Sequence, residues 1–138
     1  MNLNQIRIAA AIIVDDEGRT LLVRKSGTRF FMQPGGKIDG DENAVEALKR
    51  ELHEELALTT CSDDLQPLGT FTAEAANETD HQVVADLFLL NRAFSPRPAN
   101  EIAEAIWIKP EAAAEQALAP LTRDYVMPIV DAMNLDKR

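Results

Sequence analysis

Glu54 and Glu55 follow Glu51 by three and four residues, so in a helix the three carboxylates share an arc of roughly 100° on one face. Like charges at this spacing cost about 0.2–0.5 kcal/mol per pair even on an exposed helix. Val45, Leu48, Leu52 and Leu56 recur at helical spacing through the same stretch. The acidic arc therefore borders an apolar stripe, at the rim where the helix meets the core. Carboxylates gathered there need compensation, by raised pKa values or by a cation. Oxygen donors alone suit the hard ions Mg²⁺ and Mn²⁺. The plain alternative is a solvated acidic face without a ligand. Upstream, Pro34, Gly35 and Gly36 form a glycine loop that a phosphate can approach closely. Arg24, Lys25, Arg29 and Lys37 lie before or inside it, a basic cluster suited to a polyphosphate.

These residues need elements to position them. Ile6 to Val14 reads as a buried first strand, followed by a polar turn at Asp15–Gly18 and a second β-rich stretch, Thr20 to Arg24, which predicts a hairpin. Phe30 to Met32 is a short strand that the glycine loop ends. Asn43, with Glu46 three residues on, caps the acidic helix in a variant of the capping box. Pro67–Ala76 and His81–Asn91 are strands joined by a turn-rich segment, and Ala105–Lys109 is a short strand. Pro110 starts an Ala/Glu-rich helix, and Thr122–Met133 is a last amphipathic helix despite Pro128. Strands, helix, strands and helix in this order predict a single α/β (α+β) domain over residues 1–138, a mixed sheet with helices packed on it.

Composition narrows the partners. The chain has 138 residues, 46% of them apolar, and a formal net charge of −9, enough for one domain with a sizeable core. That charge argues against binding a nucleic-acid polymer through a basic surface. It leaves small phosphorylated ligands open, because bound divalent ions invert the local sign of a site. No stretch approaches the about 20 apolar residues of a membrane span, and no export signal is legible. The one cysteine, Cys61, makes no internal disulfide and reads as structural. A cytoplasmic location is the expectation.

The segment from Gly36 to Leu58 reads GKIDGDENAVEALKRELHEELAL and resembles the Nudix box of the Nudix hydrolases. In that pattern Gly, five residues, Glu and seven residues precede Arg-Glu-aliphatic-x-Glu-Glu-x-Gly-aliphatic. Gly36, Glu42, Arg50, Glu51, Leu52, Glu54, Glu55 and Leu58 fall in register. The six charged or glycine matches arise by chance roughly once in 10⁷ windows. Two positions depart from the pattern. Ala57 replaces the usual glycine, so it must either prolong the helix or cost about 1 kcal/mol in a left-handed conformation. Gly40-Asp41 inverts the usual order before the first glutamate.

The resemblance implies a Nudix-type mixed sheet sandwiched between helices and metal-dependent hydrolysis of a phosphoanhydride in a nucleoside diphosphate-linked substrate. By the same resemblance Glu51, Glu54 and Glu55 hold Mg²⁺ or Mn²⁺, the carbonyl of Gly35 completes the shell, and Arg50 orients the carboxylates, with Glu42 in support. Glu54 is the candidate to take the proton from water. Arg24 or Lys25, with Gly35, Gly36 and Lys37, would meet the substrate's phosphates. Some members add a glutamate from a loop beyond the box. Glu104 is the first candidate here, ahead of Glu101, Glu74 and Glu78.

A nucleoside triphosphate, with oxidised purine nucleotides included, is the expected substrate. The proline that accompanies ADP-ribose hydrolysis about 15 residues after the box is absent near Ala73. An ADP-ribose or nucleotide-sugar pyrophosphatase remains an alternative, as does a non-catalytic nucleotide-binding regulator. Many members are dimers, and a homodimer is compatible with the sequence. His53-Glu54 does not make a zinc-protease helix, because the second histidine is missing at Ala57. His53 and His81 read as surface residues, and Phe30, Phe31, Phe71, Phe88 and Trp107 read as core in preference to base-stacking platforms.

Overall fold

The first strand organises the molecule. The computed structural model describes residues 4–136. In it β1 (Asn4–Val14) lies parallel to β6 (His81–Asn91) along its whole length, from Asn4 opposite His81 to Val14 opposite Asn91. Ala9 to Val14 are all buried, because helices cover both faces, as a continuous apolar strand requires. Side chains alternate across the sheet. Ala9, Ala11 and Ile13 join the cluster around α1 (Ala44–Leu56). Ala10, Ile12 and Val14 join the one containing Val126 and Val130 near α2 (Met127–Asp136). β5 (Gln66–Glu74) continues the sheet antiparallel to β6, with a register shift between Pro67 and Gly69.

The expected hairpin exists only at its base. Asp15 organises the turn, accepting from the backbone of Glu17 and Arg19 and from Arg19 Nε at 2.7–3.0 Å. β1 and β2 (Thr20–Lys25) pair at Val14 and Thr20 and then diverge. The main partner of β2 is β7 (Ile102–Ile108), with β3 (Phe31–Met32) on its other side. The edge of β1 vacated by β2 is taken by β4 (Gly35–Lys37), with Gly35 opposite Ala10 and Gly36 opposite Ala9. The predicted glycine loop is thus a strand, its backbone satisfied by β1.

Helix α1 follows the capping box. Asn43 Oδ1 accepts from Glu46 N at 2.9 Å, and Glu46 Oε1 accepts from Asn43 N at 3.2 Å. The helix stops at Ala57, which is left-handed at φ 57°, while Leu58 N donates to Leu52 O at 3.2 Å. Of the two outcomes expected for Ala57, the strained cap is the one adopted. Near the C-terminus two expectations are corrected. Pro110 begins only a 3₁₀ segment, Pro110–Glu115. The last helix opens with a π-helical segment over Thr122–Val126, a wider turn that accommodates the missing N–H of Pro128.

Ala57→Gly is expected to stabilise the protein by about 0.5–1 kcal/mol, because glycine adopts this conformation without a Cβ penalty. An unchanged or lowered urea midpoint for the variant would contradict this account of the cap.

Candidate active site

Packing α1 against β1 and β4 grades the burial of its acidic arc. The side chain of Glu54 is 47% exposed and that of Glu51 17%, whereas Glu55 is 5% exposed. Glu55 Oε1 accepts from the backbone N–H of Gly35 at 3.3 Å. Burial pushes the Glu55 carboxyl up to about 7, the charge of Glu51 adds to the shift, and the Gly35 N–H opposes it. Burial also raises Glu51, against the pull of Arg50. Gly35 is required by backbone contact, and Gly36 is packed against a side chain. A Cβ at Gly35 (φ 151°) would overlap the Ala9 carbonyl, and one at Gly36 would overlap the Glu51 carboxylate.

Arg50 braces this arc. Its Nε and Nη2 donate to the two oxygens of Glu42 at 2.8 Å, a bidentate pair, and its Nη1 donates to Glu51 at 2.9 Å and stands 3.5 Å from Glu54. Nη2 also reaches the Lys37 carbonyl at 3.2 Å. Glu42 further accepts from Asp39 N at 3.0 Å, and Arg50 holds its carboxyl down to about 2. Charge-assisted bonds of this kind fix orientation as well as adding energy. One guanidinium therefore ties the connection between β4 and α1 to two of the three glutamates.

The three glutamates and Gly36 line a polar cavity of about 430 Å³, together with Lys25, Lys37, Asp39, Asn100 and Glu101. The last two arrive on a segment docked against the C-terminal end of α1. Ala99 N donates to Glu55 O at 2.9 Å, and Asn100 Nδ2 donates to Glu54 O at 3.0 Å. A second cavity of about 130 Å³ adjoins it, sharing Lys25, Gly36, Lys37 and Glu55 but otherwise walled largely by Ile6, Ile8, Met32 and Val83.

Among the described residues no three His, Cys, Asp or Glu side chains close into a ready-made metal cage. The donor set nonetheless fits a hard divalent ion. Its ligating groups are carboxylates, and the buried Glu55 has no ion-pair partner among the described residues. Mg²⁺ in particular retains waters and shares its shell with substrate phosphates.

Of the residues singled out from the sequence, Glu51, Glu54, Glu55, Gly35, Gly36, Lys25 and Lys37 are brought to these two cavities. Arg24 and Glu104 are not. They face each other across β2 and β7 and pair at 2.7–2.8 Å, and Arg24 also donates to the Thr28 carbonyl. Each is spent on the other, so neither lines the polar cavity. Glu101, ranked behind Glu104 from sequence, is the glutamate that does, 3.9 Å from Lys25. Arg29 lies over the ring of Phe30. Cys61 is exposed, not structural, and His53 is exposed as expected. Sequence reasoning missed Asp39 and Asn100, which carry no spacing signal, and Gln33, a polar residue closing a short apolar strand.

A family model described as the NUDIX domain matches residues 4–128. A protein of Haemophilus influenzae described as 8-oxo-dGTP diphosphatase is 29% identical over 117 residues, 81% of this chain and 82% of that protein. The crystal structure of a MutT protein from Methanosarcina mazei superposes with a TM-score of 0.76 at 23% identity, covering 97% of this chain and 98% of that one. MutT from Aliivibrio salmonicida and Vibrio cholerae gives 0.72 at 24% identity, covering 94% and 99%. At these identities the structural likeness establishes the fold.

The raised carboxyl of Glu55 has a signed consequence for stability. Below about pH 4.5 the group is protonated whether the chain is folded or not, and no penalty arises. Between about 4.5 and 7 the folded state holds the proton more tightly, so stability falls as pH rises, and above 7 the penalty is complete. Glu55→Gln is therefore expected to match the metal-free parent at pH 4.5 and to exceed it at pH 8, by on the order of 2 kcal/mol. Thermal unfolding in chelator at the two pH values measures this, and equal midpoints at pH 8 would refute it.

Proposed function

Because this chain belongs to the Nudix family of hydrolases, we propose that it cleaves a phosphoanhydride of a nucleoside triphosphate, releasing a nucleoside monophosphate and pyrophosphate. The observation that carries this reading is the buried Glu55, without an ion-pair partner among the described residues, beside a glycine-bearing strand, in a cavity that also holds Glu51, Glu54, Lys25 and Lys37. No helix among the described residues is long and apolar enough to cross a membrane, and a small nucleotide is the proposed partner.

Glu51, Glu54 and Glu55 would hold Mg²⁺ or Mn²⁺, which neutralises phosphate oxygens and makes bound water acidic enough to ionise near neutral pH. The chain's own groups supply the rest. Because Gly36 has no Cβ, the Glu51 carboxylate lies directly against the β4 backbone, so phosphates that meet Glu51 also come close to that strand. Lys25 and Lys37 balance the polyphosphate charge. Arg50 keeps Glu51 and Glu54 in place without entering the reaction. Glu54, the most exposed of the three, accepts the proton as water oxygen bonds to phosphorus and the bridging P–O bond breaks. The apolar second cavity receives the base. The relative from Haemophilus influenzae is named for 8-oxo-dGTP, which puts an oxidised purine nucleotide first among candidate substrates.

A panel of nucleoside triphosphates, 8-oxo-dGTP, ADP-ribose and nucleotide sugars, assayed with Mg²⁺ and with Mn²⁺, tests the proposal. Turnover of a triphosphate is expected, with loss in chelator and at least a 10²-fold fall in kcat for Glu54→Gln and for Glu55→Gln while both remain folded. Release of neither phosphate nor pyrophosphate from any substrate would sink the enzymatic reading. Tight nucleotide binding that survived both substitutions would then point to a sensor.

A further inference from the structure

Gln33 follows β3 and is 6% exposed. Its Oε1 accepts from the hydroxyl of Thr122, which is fully buried at the start of the π-helical segment before α2. Its Nε2, equally shielded from water, has no hydrogen-bond partner among the described residues. Buried polar groups are nearly always paired, and one left open costs free energy that a ligand bonding to it would recover. Gln33 lines the apolar cavity beside the glutamates and also a smaller one behind it, of about 70 Å³, walled by Ile8, Ala10, Met32 and Leu121. The other polar side chains bordering this apolar cleft away from the glutamates and lysines, Glu74, Asn77 and Glu78, are exposed. Gln33 is thus the buried polar group of the apolar end.

We infer that Gln33, its amide oriented by Thr122, is the specificity-determining residue for the base, its free N–H donating to a ring carbonyl oxygen of the bound nucleobase. With its oxygen engaged by the Thr122 hydroxyl, the amide group left without a partner among the described residues is the Nε2 donor. That selects a base offering an acceptor over one offering an amino group at the same place. Two adjoining compartments, both touched by Gln33, suit a two-ring base, so the substrate class is a 6-oxopurine nucleotide. An amino base in the same pose would set its N–H groups against those of Gln33 and leave both unpaired, and a site built to hydrogen-bond rejects the mismatched analogue strongly.

This inference rests on the nucleotide reading above, and the experiment separates the two. Hydrolysis of dITP and dATP, which differ only around position 6, is measured for the parent, Gln33→Met and Gln33→Glu. The parent is expected to favour dITP by about 10- to 100-fold in kcat/KM. Gln33→Met, similar in volume but without the donor, should bring the ratio near one, and Gln33→Glu should shift it toward dATP. Damage that was merely structural would lower both substrates together and leave the ratio intact. A parent without preference for dITP, or a Gln33→Met variant that keeps it, would overturn the assignment. Calorimetric affinities for dIMP and dAMP on the same proteins read the same preference without turnover. If no triphosphate is hydrolysed, the enzymatic proposal fails while the dIMP-to-dAMP ratio still decides the role of Gln33.

Discussion

The central constraint is a carboxylate held where water cannot reach it. Glu55 occupies a helix position that packing has turned toward the sheet, against a backbone N–H of β4. A charge there is costly unless something compensates it, and no side chain among the described residues does so by an ion pair. The surrounding structure holds the carboxylate in that position. Gly35 and Gly36 leave no room for a Cβ, and β4 fills the edge of β1 that β2 leaves open. Helix α1 is anchored by a complete capping box at one end and a strained alanine at the other.

The opposing requirement is order. Three carboxylates on one arc repel one another, and a free arc would spread into solvent. Arg50 restrains two of them and is itself fixed by Glu42, which also accepts from the turn at Asp39. A lysine at this place would supply the charge but not the planar fork that engages both oxygens of Glu42 while reaching Glu51. Glu55 needs no such brace, because burial and the Gly35 N–H already hold it. Two means of fixing a carboxylate, pairing and packing, thus operate within one helical turn. Their opposite electrostatic effects leave Glu42 strongly acidic and Glu55 weakly so.

On the proposed function the two cavities divide the labour of recognition. The polar one carries carboxylates, lysines and glycines, a chemistry indifferent to the base. The apolar one is walled by residues from β1, β3 and β6, with its inner end closed by the segment leading into α2. Reaction class and specificity therefore reside on different elements. This allows a fold to keep its chemistry while its substrates change.

Much of the catalytic end was legible in the chain, because it lies in one continuous segment where spacing alone sets geometry. The period of the helix places Glu51, Glu54 and Glu55 together and beside Leu48, Leu52 and Leu56, and Asn43 and Glu46 mark its start. The bounds of β6 and the apolar character of β1 were equally readable, since alternation and burial are local signals. What the sequence could not supply were pairings between distant segments. That β1 runs parallel to β6, that β2 leaves it after one pair, and that the glycines form a strand all depend on which edges meet. The same holds for Arg24 and Glu104, 80 residues apart, which neutralise each other across β2 and β7, and for Glu101 and Asn100, carried to the cavity by docking on the end of α1. Helical spacing is a property of one stretch of chain. Burial of Glu55 and the open amide of Gln33 arise only when separate stretches exclude water from the same space.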